Sequence, residues 1–538
     1  MGLGRLKELF VKDKSVDFGE YSPSEYGYLF EEPEFGDLER VDRHWLEEPY
    51  SHVTILKREH DDYYYHVTEP QLSSYEKILL RDIKAAIHRK LLESSLKGVK
   101  KEDLLKHLLR ETIADYIVEF EPIVFFKIEY YILRDYMKFG KLTPLMKDAY
   151  IEDISCNGWE KPIFIYHKRY TDIETNVVFE KKELDEFIQV FVQKDSKHIS
   201  IRDPLVHATM PDGSRIQLTF GDEITTHGST FTIRKFNEMP TTPIDLIEWK
   251  TFSPEAMAYL WLAVENGKSL LFVGGTASGK TTSLNAVSLF IPYKAKIVTL
   301  EDTREIRLPH PNWIPDVTRV SITGSHDDID MYKLLKSALR QRPEYLLVGE
   351  VRGEEAVTLF QAMSTGHTTF STMHADSVDT AIRRLENPPI NVPRGMFEAL
   401  DIISIQAQTF IEDERVRRNL MLTEIIGIDP STRNIKTADI FTWDSMLDES
   451  YRSGNSVVTE SIQKFRGWSM AELEEELNKR KVVLEFMFNK GIRDFDTITK
   501  VIHDFQINPD KVMRWINLDA WSKLGDRNRN RLNPDVAT

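Results

Sequence analysis

Residues 274–281, GGTASGKT, fit the pattern G-x-x-x-x-G-K-[ST] without a mismatch. Gly274 and Gly279 leave the backbone free to turn its N–H groups inward, where they can bind phosphate oxygens. Lys280 supplies a positive charge for the β and γ phosphates, and Thr281 offers a hydroxyl to Mg²⁺. An ordinary glycine-rich turn has no need of a lysine beside a threonine, so the pattern predicts a site for ATP and Mg²⁺. The predicted nucleotide-binding residues are Gly274, Gly275, Thr276, Ala277, Ser278, Gly279, Lys280, Thr281 and Thr282.

This loop requires a strand before it and a helix after it. Residues 269–273 form a short apolar run, which predicts a buried strand that ends at the loop. Thr282 opens a predicted helix, and the positive end of the helix dipole would face the same phosphates. The order of strand, loop and helix therefore predicts a phosphate cradle.

Three polar clusters follow further predicted strands. The strands are the apolar runs KIVTL at 296–300, YLLVGE at 345–350 and TTFSTMH at 368–374. Their alternation with helical patterns predicts an α/β fold with a parallel sheet, as in nucleotide-binding domains of the RecA type. Because such sheets bind ligands at the carboxyl ends of their strands, we expect Glu301, Glu350 and His374 to meet there.

Glu350 is the predicted catalytic carboxylate, since it ends a strand and can orient an attacking water. Gly349 stands where many P-loop enzymes have a magnesium-linked aspartate. We therefore expect the metal to contact Thr281 directly and Glu350 through a water. Taken alone, Glu301 would be interpreted as part of a surface salt bridge and His374 as a structural histidine. Their shared position favours roles in catalysis and in phosphate sensing.

The chain has 538 residues, of which 41% are hydrophobic, and this length allows several domains. We predict a flexible N-terminal arm at 1–50, a helical or mixed subdomain at 51–150, an α+β subdomain at 151–238, a linker at 239–248, and an ATPase domain at 249–538 whose helical C-terminal extension begins at about 440. The linker is predicted from the proline-broken stretch at 239–243.

Composition narrows the possible partners and location. The formal net charge of −16 argues against a surface that neutralises nucleic-acid phosphates, so no nucleic-acid partner is expected.

Cys156 is the only cysteine, which excludes an internal disulfide and a zinc site built from several thiolates, and we expect it to be buried. No window approaches the ~18 apolar residues of a membrane span, and no signal-peptide pattern is present, so a cytoplasmic location is expected.

With these motifs in place, the sequence resembles the secretion ATPases that drive type II secretion, type IV pilus assembly and retraction, and the archaellum. The resemblance rests on the loop at 274–281, the acidic pair Glu301-Asp302, the segment LRQRPEYLLVGEVRG at 339–353, and the histidine-framed strand at 366–374. Two positions depart from the family pattern: Glu344 replaces an aspartate, and Gly353 stands where a final aspartate is common. Neither change removes Glu350.

The resemblance implies a homohexameric ring whose N-terminal domain, PAS-like at 151–238, is hinged to a RecA-like motor domain. Arginines of the N-terminal domain close over the γ-phosphate in this family, and the matching candidates are Arg215 and Arg234. Arg340, with Arg319 and Arg342, is a candidate for contacts between subunits. Each of these arginines could instead belong to an ordinary surface salt bridge.

The resemblance also implies a partner at the membrane. In the family this partner is a polytopic platform protein, through which the motor serves pilin-like filament subunits indirectly from the inner face of the membrane. Bacterial members often carry a four-cysteine zinc site, so its absence from this sequence points toward the archaeal branch. The apolar stripe within residues 3–10 is a candidate docking helix.

Two other functional classes remain open on the sequence. A nucleic-acid or conjugation-type translocase would share the RecA-like core, although the acidic balance counts against it. A nucleotide-gated scaffold would bind ATP without turning it over. Measured turnover and DNA stimulation would separate these classes from a filament or secretion motor.

Overall fold

The computed structural model describes residues 19–58, 62–93, 100–115, 121–194, 199–200, 202–236, 240–319, 328–412 and 414–517. The chain divides into two compact units, residues 1–237 and 238–538, and the division falls beside the predicted linker. The candidate docking helix within residues 3–10 lies outside the described residues. No helix in the described ranges is both long enough and apolar enough to cross a membrane.

Unit 1 is built on one mixed sheet. Its strands in the described residues are β1 (Glu39–Glu47), β2 (Ser51–Lys57), β3 (Tyr63–Thr68), β4 (Ile151–Cys156), β5 (Pro162–His167), β6 (Thr171–Val178), β7 (Leu205–Thr209), β8 (Arg215–Thr219) and β9 (Thr230–Arg234). Their order across the sheet is β1-β2-β3-β6-β5-β4-β9-β8-β7. Tyr65 on β3 pairs with Thr175 on β6, so the residues predicted to form two subdomains share a single sheet.

Helices complete unit 1. They are α1 (Pro23–Tyr26), α2 (Ser74–Glu93), α3 (Lys101–Ala114), α4 (Pro122–Met137), α5 (Thr143–Lys147) and α6 (Lys181–Lys194), with a 3₁₀ turn at Gly140–Leu142. Cys156 is buried at the end of β4, as expected.

Strand β1 departs from the predicted flexible arm at 1–50. It is an edge strand that pairs with β2 from Glu39 opposite Lys57 to Glu47 opposite Ser51. Most of its side chains are charged or partly exposed, because only one side of the strand is paired and one face is open. The sequence pattern therefore lacks the apolar alternation that would have predicted it.

Unit 2 contains a second sheet. Its strands in the described residues are β10 (Leu270–Gly274), β11 (Ile297–Glu301), β12 (Trp313–Val317), β13 (Tyr345–Val348), β14 (Thr368–His374), β15 (Ile402–Ile411), β16 (Glu414–Ile428), β17 (Ile435–Asp444) and β18 (Glu449–Arg452). The order is β12-β11-β13-β14-β10-β15-β16-β17-β18. Strands β10 to β15 pair in parallel and the remaining pairs are antiparallel, which confirms the predicted α/β fold with a parallel sheet.

The helices of unit 2 cover both faces of this sheet. They are α7 (Pro243–Glu248), α8 (Pro254–Glu265), α9 (Lys280–Ser288), α10 (Met331–Arg340), α11 (Glu355–Ser364), α12 (Val378–Glu386), α13 (Val457–Arg466), α14 (Met470–Asn489), α15 (Phe495–Ile507) and α16 (Pro509–Asn517), with a 3₁₀ turn at Arg394–Ala399. Leu270 and Phe272 belong to one buried core, and Leu271 and Val273 belong to another. Because successive side chains of a strand point to opposite faces, β10 must be apolar throughout.

Part of the predicted linker is structured. Thr242 and Asp245 form a capping box at the start of α7, and Ile244, Leu246 and Ile247 are buried. A capping box satisfies two helix N–H groups and stabilises the helix start by about 1 kcal/mol. Residues 243–248 are therefore part of unit 2 and not a flexible connection.

The C-terminal extension also differs from its predicted boundary. Residues 435–452 form β17 and β18, and helices begin only at Val457. The first of them is held by Glu424 of β16, whose Oε2 accepts hydrogen bonds from the N–H groups of Val457 at 2.7 Å and Val458 at 3.1 Å. Glu424 is fully buried, so this carboxylate joins the sheet firmly to the C-terminal helices.

Candidate active site

The predicted loop connects β10 to α9 as expected. Gly279 is the residue before the helix and has φ of 88°, a left-handed conformation that favours glycine. The helix begins at Lys280, two residues earlier than predicted. A Cβ atom on Gly274 would lie 2.3 Å from the carbonyl oxygen of Gln406, so only glycine fits where β10 passes β15.

The upper part of the loop is open to solvent. Gly275, Thr276 and Ala277 are exposed, whereas Ser278 is buried and donates its hydroxyl to the carbonyl oxygen of Gly275 at 2.9 Å. Ala277 has φ of 59°, which is uncommon for a residue other than glycine. This shape leaves backbone N–H groups of the loop and of the helix start on the side where a phosphate would bind.

Two cations contact carbonyl oxygens of this loop. Lys280 Nζ donates to the carbonyl oxygen of Gly275 at 2.5 Å, and Arg417 Nε of β16 donates to that of Ala277 at 2.9 Å. Lys280 is 8% exposed. A charged phosphate is a stronger hydrogen-bond acceptor than a carbonyl oxygen. Lys280 and Arg417 are therefore positioned to turn from the loop carbonyls to a bound phosphate.

The carboxyl ends of four parallel strands bring the predicted clusters together. Gly274 lies opposite His374 in the register of β10 and β14, and Val348 pairs with both Leu300 and Ser371. Glu301, Glu350 and His374 therefore lie at the same edge of the sheet as the loop. This register agrees with the prediction that the three polar clusters lie together at the carboxyl edge of the sheet.

Glu301 is held rigidly at the end of β11. It is 2% exposed, and its Oε1 accepts hydrogen bonds from the N–H groups of Glu305 and Ile306, both at 2.8 Å. A Cβ atom on Gly349 would lie 3.4 Å from Glu301 Cγ. Gly349 therefore lies directly beside Glu301 at the ends of neighbouring strands.

Glu350 is the centre of the charged network. Arg352 Nη2 donates to Glu350 Oε2 at 2.5 Å, and His374 Nε2 lies 3.4 Å from Oε1. Arg352 Nη1 also lies 3.8 Å from Asp302 Oδ2. Burial raises the pKa of the Glu350 carboxyl, but the hydrogen bond and charge of Arg352, with other nearby positive charges, outweigh it and lower the pKa below its usual value. Glu350 is consequently ionised at neutral pH.

His374 is neutral at pH 7. Burial, followed by the positive charge of Lys280, lowers the pKa of this imidazole below its usual value of 6.5. His367, the other histidine framing β14, lies at the opposite end of the strand, where its Nδ1 is 3.3 Å from the carbonyl oxygen of Ala362. The predicted histidine pair is therefore divided between the two edges of the sheet.

The predicted arginines do not join this cluster within unit 2. Arg340 is exposed at the end of α10, just before β13 begins, so it lies toward the amino-terminal edge of the sheet. Arg215 and Arg234 belong to unit 1, where they lie directly opposite each other on β8 and β9. Their roles at the phosphate stay predictions.

The donors at this edge fit Mg²⁺. Thr281 follows Lys280 in the first turn of α9, and Glu301 and Glu350 supply carboxylates, so the available ligands are the oxygens that Mg²⁺ prefers. Mg²⁺ commonly keeps several waters and uses few protein ligands. In the described ranges, no three His, Cys, Asp or Glu residues are grouped as a metal site.

Sequence reasoning did not identify Arg417 or Arg384 as neighbours of the site. Arg417 is 140 residues from Ala277, and Arg384, which donates to the carbonyl oxygen of His374, follows β14 on α12. Arginines on amphipathic or charged stretches are abundant in this chain. The Arg417 contact depends on the pairing of β10, β15 and β16, and the Arg384 contact depends on how α12 returns to the end of β14, so no local pattern distinguishes either arginine.

Comparisons with known proteins identify the family of this chain. The family model described as type II/IV secretion system protein matches residues 163–438. Models described as PilB3-like, N-terminal and PilB3-like, C-terminal match residues 2–71 and 448–523. Together, these matches extend over both units.

Individual relatives match to different extents. The uncharacterized protein MJ0900 of Methanocaldococcus jannaschii is 35% identical over 447 residues, which cover 82% of this chain and 79% of the relative. The type IV secretion system protein PtlH of Bordetella pertussis is 35% identical over 204 residues, which cover 34% of this chain and 60% of PtlH. Among solved structures, the ATPase DotB of Legionella pneumophila is 19% identical, with a TM-score of 0.40, over 72% of this chain and 97% of DotB.

Proposed function

Because this chain belongs to the type II/IV secretion system protein family, we propose that it is an ATPase motor that hydrolyses ATP to power assembly or rotation of a type IV pilus-like filament, such as a pilus or an archaellum, or related secretion. The observation that carries this proposal is the register of β10 and β14, which places the phosphate loop beside His374 and hence beside Glu350.

The loop holds the nucleotide. Its N–H groups and the N-terminus of α9 bind the β and γ phosphates, and Lys280 moves from the carbonyl oxygen of Gly275 to the phosphate oxygens. When bound, Mg²⁺ neutralises part of the phosphate charge, and Thr281 with waters held by Glu350 and Glu301 would hold it. The adenine and ribose would extend away from the loop into solvent or toward another unit.

Glu350 acts on the attacking water. An ionised carboxylate at a strand end accepts a hydrogen bond from that water and turns its lone pair toward the γ-phosphorus. As the new P–O bond forms, the bond to the ADP oxygen breaks and the water's proton passes to Glu350 Oε1 or Oε2, or to the departing phosphate. Arg352 keeps the carboxylate oriented, and neutral His374 can donate or accept a hydrogen bond beside it.

Positive charge from outside unit 2 completes the site in this proposal. The transition state spreads negative charge over the γ-phosphate oxygens, which is why phosphoryl transfer needs distributed cations. Arg215 and Arg234 would supply it when the units close, and Arg340, exposed at the far edge of the sheet, would serve a neighbouring subunit of a homohexamer. Because Arg215 and Arg234 would reach the phosphate only when the units close, hydrolysis would depend on that movement.

The partner is proposed from the family. A polytopic platform protein at the inner face of the membrane would receive the movement and pass it to pilin-like subunits, which places the chain in the cytoplasm at the membrane. The PilB3-like matches near both ends of the chain support a filament motor over a nucleic-acid translocase.

The test is ATP turnover by the purified chain with and without DNA, followed by reconstitution with the platform protein from the same cells. Turnover that is insensitive to DNA and rises with the platform protein is expected. DNA-stimulated turnover with steep salt dependence would indicate the translocase instead. ATP binding without any turnover would indicate a nucleotide-gated scaffold.

A further inference from the structure

A cavity of about 310 Å³ lies next to Arg352, whose guanidinium pairs with Glu350. It is lined by Arg352 after β13 and by α12 with the residues that follow that helix. Three of the residues that line it are arginines, namely Arg352, Arg383 and Arg384. We name this cavity the arginine groove.

The positive charge of the groove is only partly balanced. Arg352 is paired with Glu350, and the carboxylates of Asp302 and Glu355 also lie near it. Arg384 donates to the carbonyl oxygen of His374, which is a dipole and not a charge. Within the described part of the chain, the Arg383 side chain makes no hydrogen bond or ion pair with another residue. None of the residues that line the groove is acidic, so on a chain of net charge −16 this lining carries three arginines and no carboxylate.

Arg352 connects the groove to the reaction. Its guanidinium lines the groove and also donates to Glu350 Oε2 at 2.5 Å. An anion that leaves the vicinity of Glu350 on this side therefore meets Arg352 first and then Arg383 and Arg384. The planar guanidinium presents paired N–H donors that match the oxygens of a phosphate.

We propose that the arginine groove binds the inorganic phosphate produced by hydrolysis and is the route by which it leaves. This inference rests on the proposed ATPase function. Product phosphate is negatively charged, and once Glu350 carries no proton its ionised carboxylate repels the phosphate from the place where it formed. The groove lining offers arginines without a carboxylate, whereas ADP remains held by the loop on the other side of β14.

The size of the groove fits this assignment. A volume of about 310 Å³ lies at the lower end of the roughly 300–1,000 Å³ found for ligand pockets. It accommodates a phosphate ion with waters but lacks aromatic side chains that would stack on a base, since its other lining residues are Thr380, Asn387, Pro388, Pro389 and Ile390. An acidic segment from a second copy of the chain is the competing occupant.

The binding test uses inorganic phosphate alone on the full chain without nucleotide. Lys280→Ala is introduced first, to weaken phosphate binding by the loop, and the remaining affinity is measured by calorimetry. We expect that affinity to fall several-fold on adding Arg383→Gln and at least tenfold on adding Arg383→Gln with Arg384→Gln. Arg394→Gln is the matched control, because Arg394 is an exposed arginine near the groove that pairs with Glu386 and does not line the groove. It should leave phosphate affinity within about twofold.

The release test uses the chain with Lys280 intact. A fluorescent phosphate sensor should show phosphate release slowed about fivefold by Arg383→Gln, and the inhibition constant for added phosphate should rise. Because the Arg383 side chain has no partner in the described residues, this variant should fold normally even if Arg384→Gln does not. Unchanged phosphate affinity and unchanged release in Arg383→Gln would overturn the proposal.

Other outcomes are distinguishable. If the variants weaken assembly of copies into a ring while phosphate affinity is unchanged, the occupant is an acidic segment of a second copy and the proposal is wrong. If the chain hydrolyses ATP but the groove binds no phosphate, only this inference fails. If the groove binds phosphate but the chain hydrolyses no ATP, the proposed function fails, and the exit route fails with it.

Discussion

Arg215 and Arg234 lie directly opposite each other on the antiparallel strands β8 and β9. Like charges in this position repel each other and weaken a sheet. Asp153 on β4 lies opposite Arg234. Burial raises the pKa of the Asp153 carboxyl, and this effect outweighs the charge of Arg234, which lowers the pKa. A pair of adjacent guanidinium groups is an arrangement that a phosphate would stabilise, which agrees with the role proposed for these arginines.

Arg215→Ala and Arg234→Ala should each lower ATP turnover by about tenfold or more while leaving ATP affinity within a few-fold. The reason is that their charge is needed only when negative charge develops on the γ-phosphate. Steady-state kinetics with nucleotide binding measured separately would check this. Arg81→Ala is the control, since Arg81 is an arginine of unit 1 with a side chain that is 75% exposed. A fragment of residues 240–538 should bind ATP but hydrolyse it as poorly as a full chain that carries both substitutions, and full activity in that fragment would remove both arginines from the mechanism.

Glu350→Gln should retain ATP binding and lose turnover by on the order of 10² or more, because an amide cannot take up the proton of the water. The neighbouring Glu354 is exposed and caps no N–H group with its side chain, so Glu354→Gln is a matched control that should keep normal turnover. Single-turnover hydrolysis measures the chemical step directly. Near-normal rates in Glu350→Gln would exclude this residue as the group that activates water.

Lys280→Ala should weaken ATP affinity by about tenfold or more and reduce turnover as well, since the lysine contacts both bound and reacting phosphates. Fluorescent ATP analogues report the affinity. Lys294→Ala, at an exposed position between α9 and β11, should change neither quantity. Equal affinity in the two variants would mean that the loop does not hold the phosphates.

Arg352→Gln should shift the acid side of the pH profile of kcat/KM to higher pH. In the native chain the hydrogen bond and charge of Arg352 lower the pKa of Glu350 against the opposing effect of burial. Without them that pKa rises, so Glu350 becomes protonated, and inactive toward water, at a higher pH than in the native chain. A profile that loses amplitude without moving would show that Arg352 acts on the phosphate and not through Glu350.

Asp148→Asn should destabilise unit 1 by about 2–3 kcal/mol at pH 6, the range expected for hydrogen bonds to a buried charge. Asp148 Oδ2 accepts hydrogen bonds from Tyr65 at 2.6 Å and from His44 at 3.1 Å. Burial raises the pKa of Asp148, but these bonds outweigh it and lower the pKa from 3.8 to about 2. The carboxylate therefore stabilises the unit above pH 3.8, and this contribution is lost as pH falls from 3.8 to about 2.

Hydrogen exchange of the β3 and β4 amides in the full chain measures that effect, compared between native and variant chains at each pH. The difference should be largest near pH 6 and should shrink below pH 4. Asp172→Asn, at an exposed position on β6, should show no such difference. A pH-independent difference between the native chain and Asp148→Asn would show that packing, and not charge, accounts for the loss.

The sequence was sufficient to predict the parts of the site that follow short apolar strands. The loop, Glu301, Glu350 and His374 each follow a strand directly, and parallel strands place their carboxyl ends together. The contact of Arg417 with Ala277 could not be predicted, because it depends on β16 lying two strands from β10. Residues 435–452 were expected to be near or within a helical extension, yet they form strands whose exposed face is polar, so their alternation is weak.

The predicted linker shows the opposite error. The prolines at 240 and 243 suggested a flexible segment, but Pro243 occupies the first turn of α7, where its missing N–H costs nothing. Proline is equally common at helix starts and in linkers, so only the burial of Ile244, Leu246 and Ile247 distinguishes the two. That burial is a property of the folded unit and is not visible in the order of residues.

Strand β16 also has a mechanical consequence. Arg417, near its start, is bonded to the apex of the phosphate loop, and Glu424, seven positions later and roughly 24 Å away at about 3.4 Å per residue, is bonded to the first turn of α13. Between these points β16 pairs with β15 and, from Met421 onward, also with β17, and the register shifts at Leu420 and between Leu422 and Thr423. A displacement of Ala277 on nucleotide exchange would therefore reach the C-terminal helices through one continuous strand, and the bulged stretch at 420–423 is where that strand would bend.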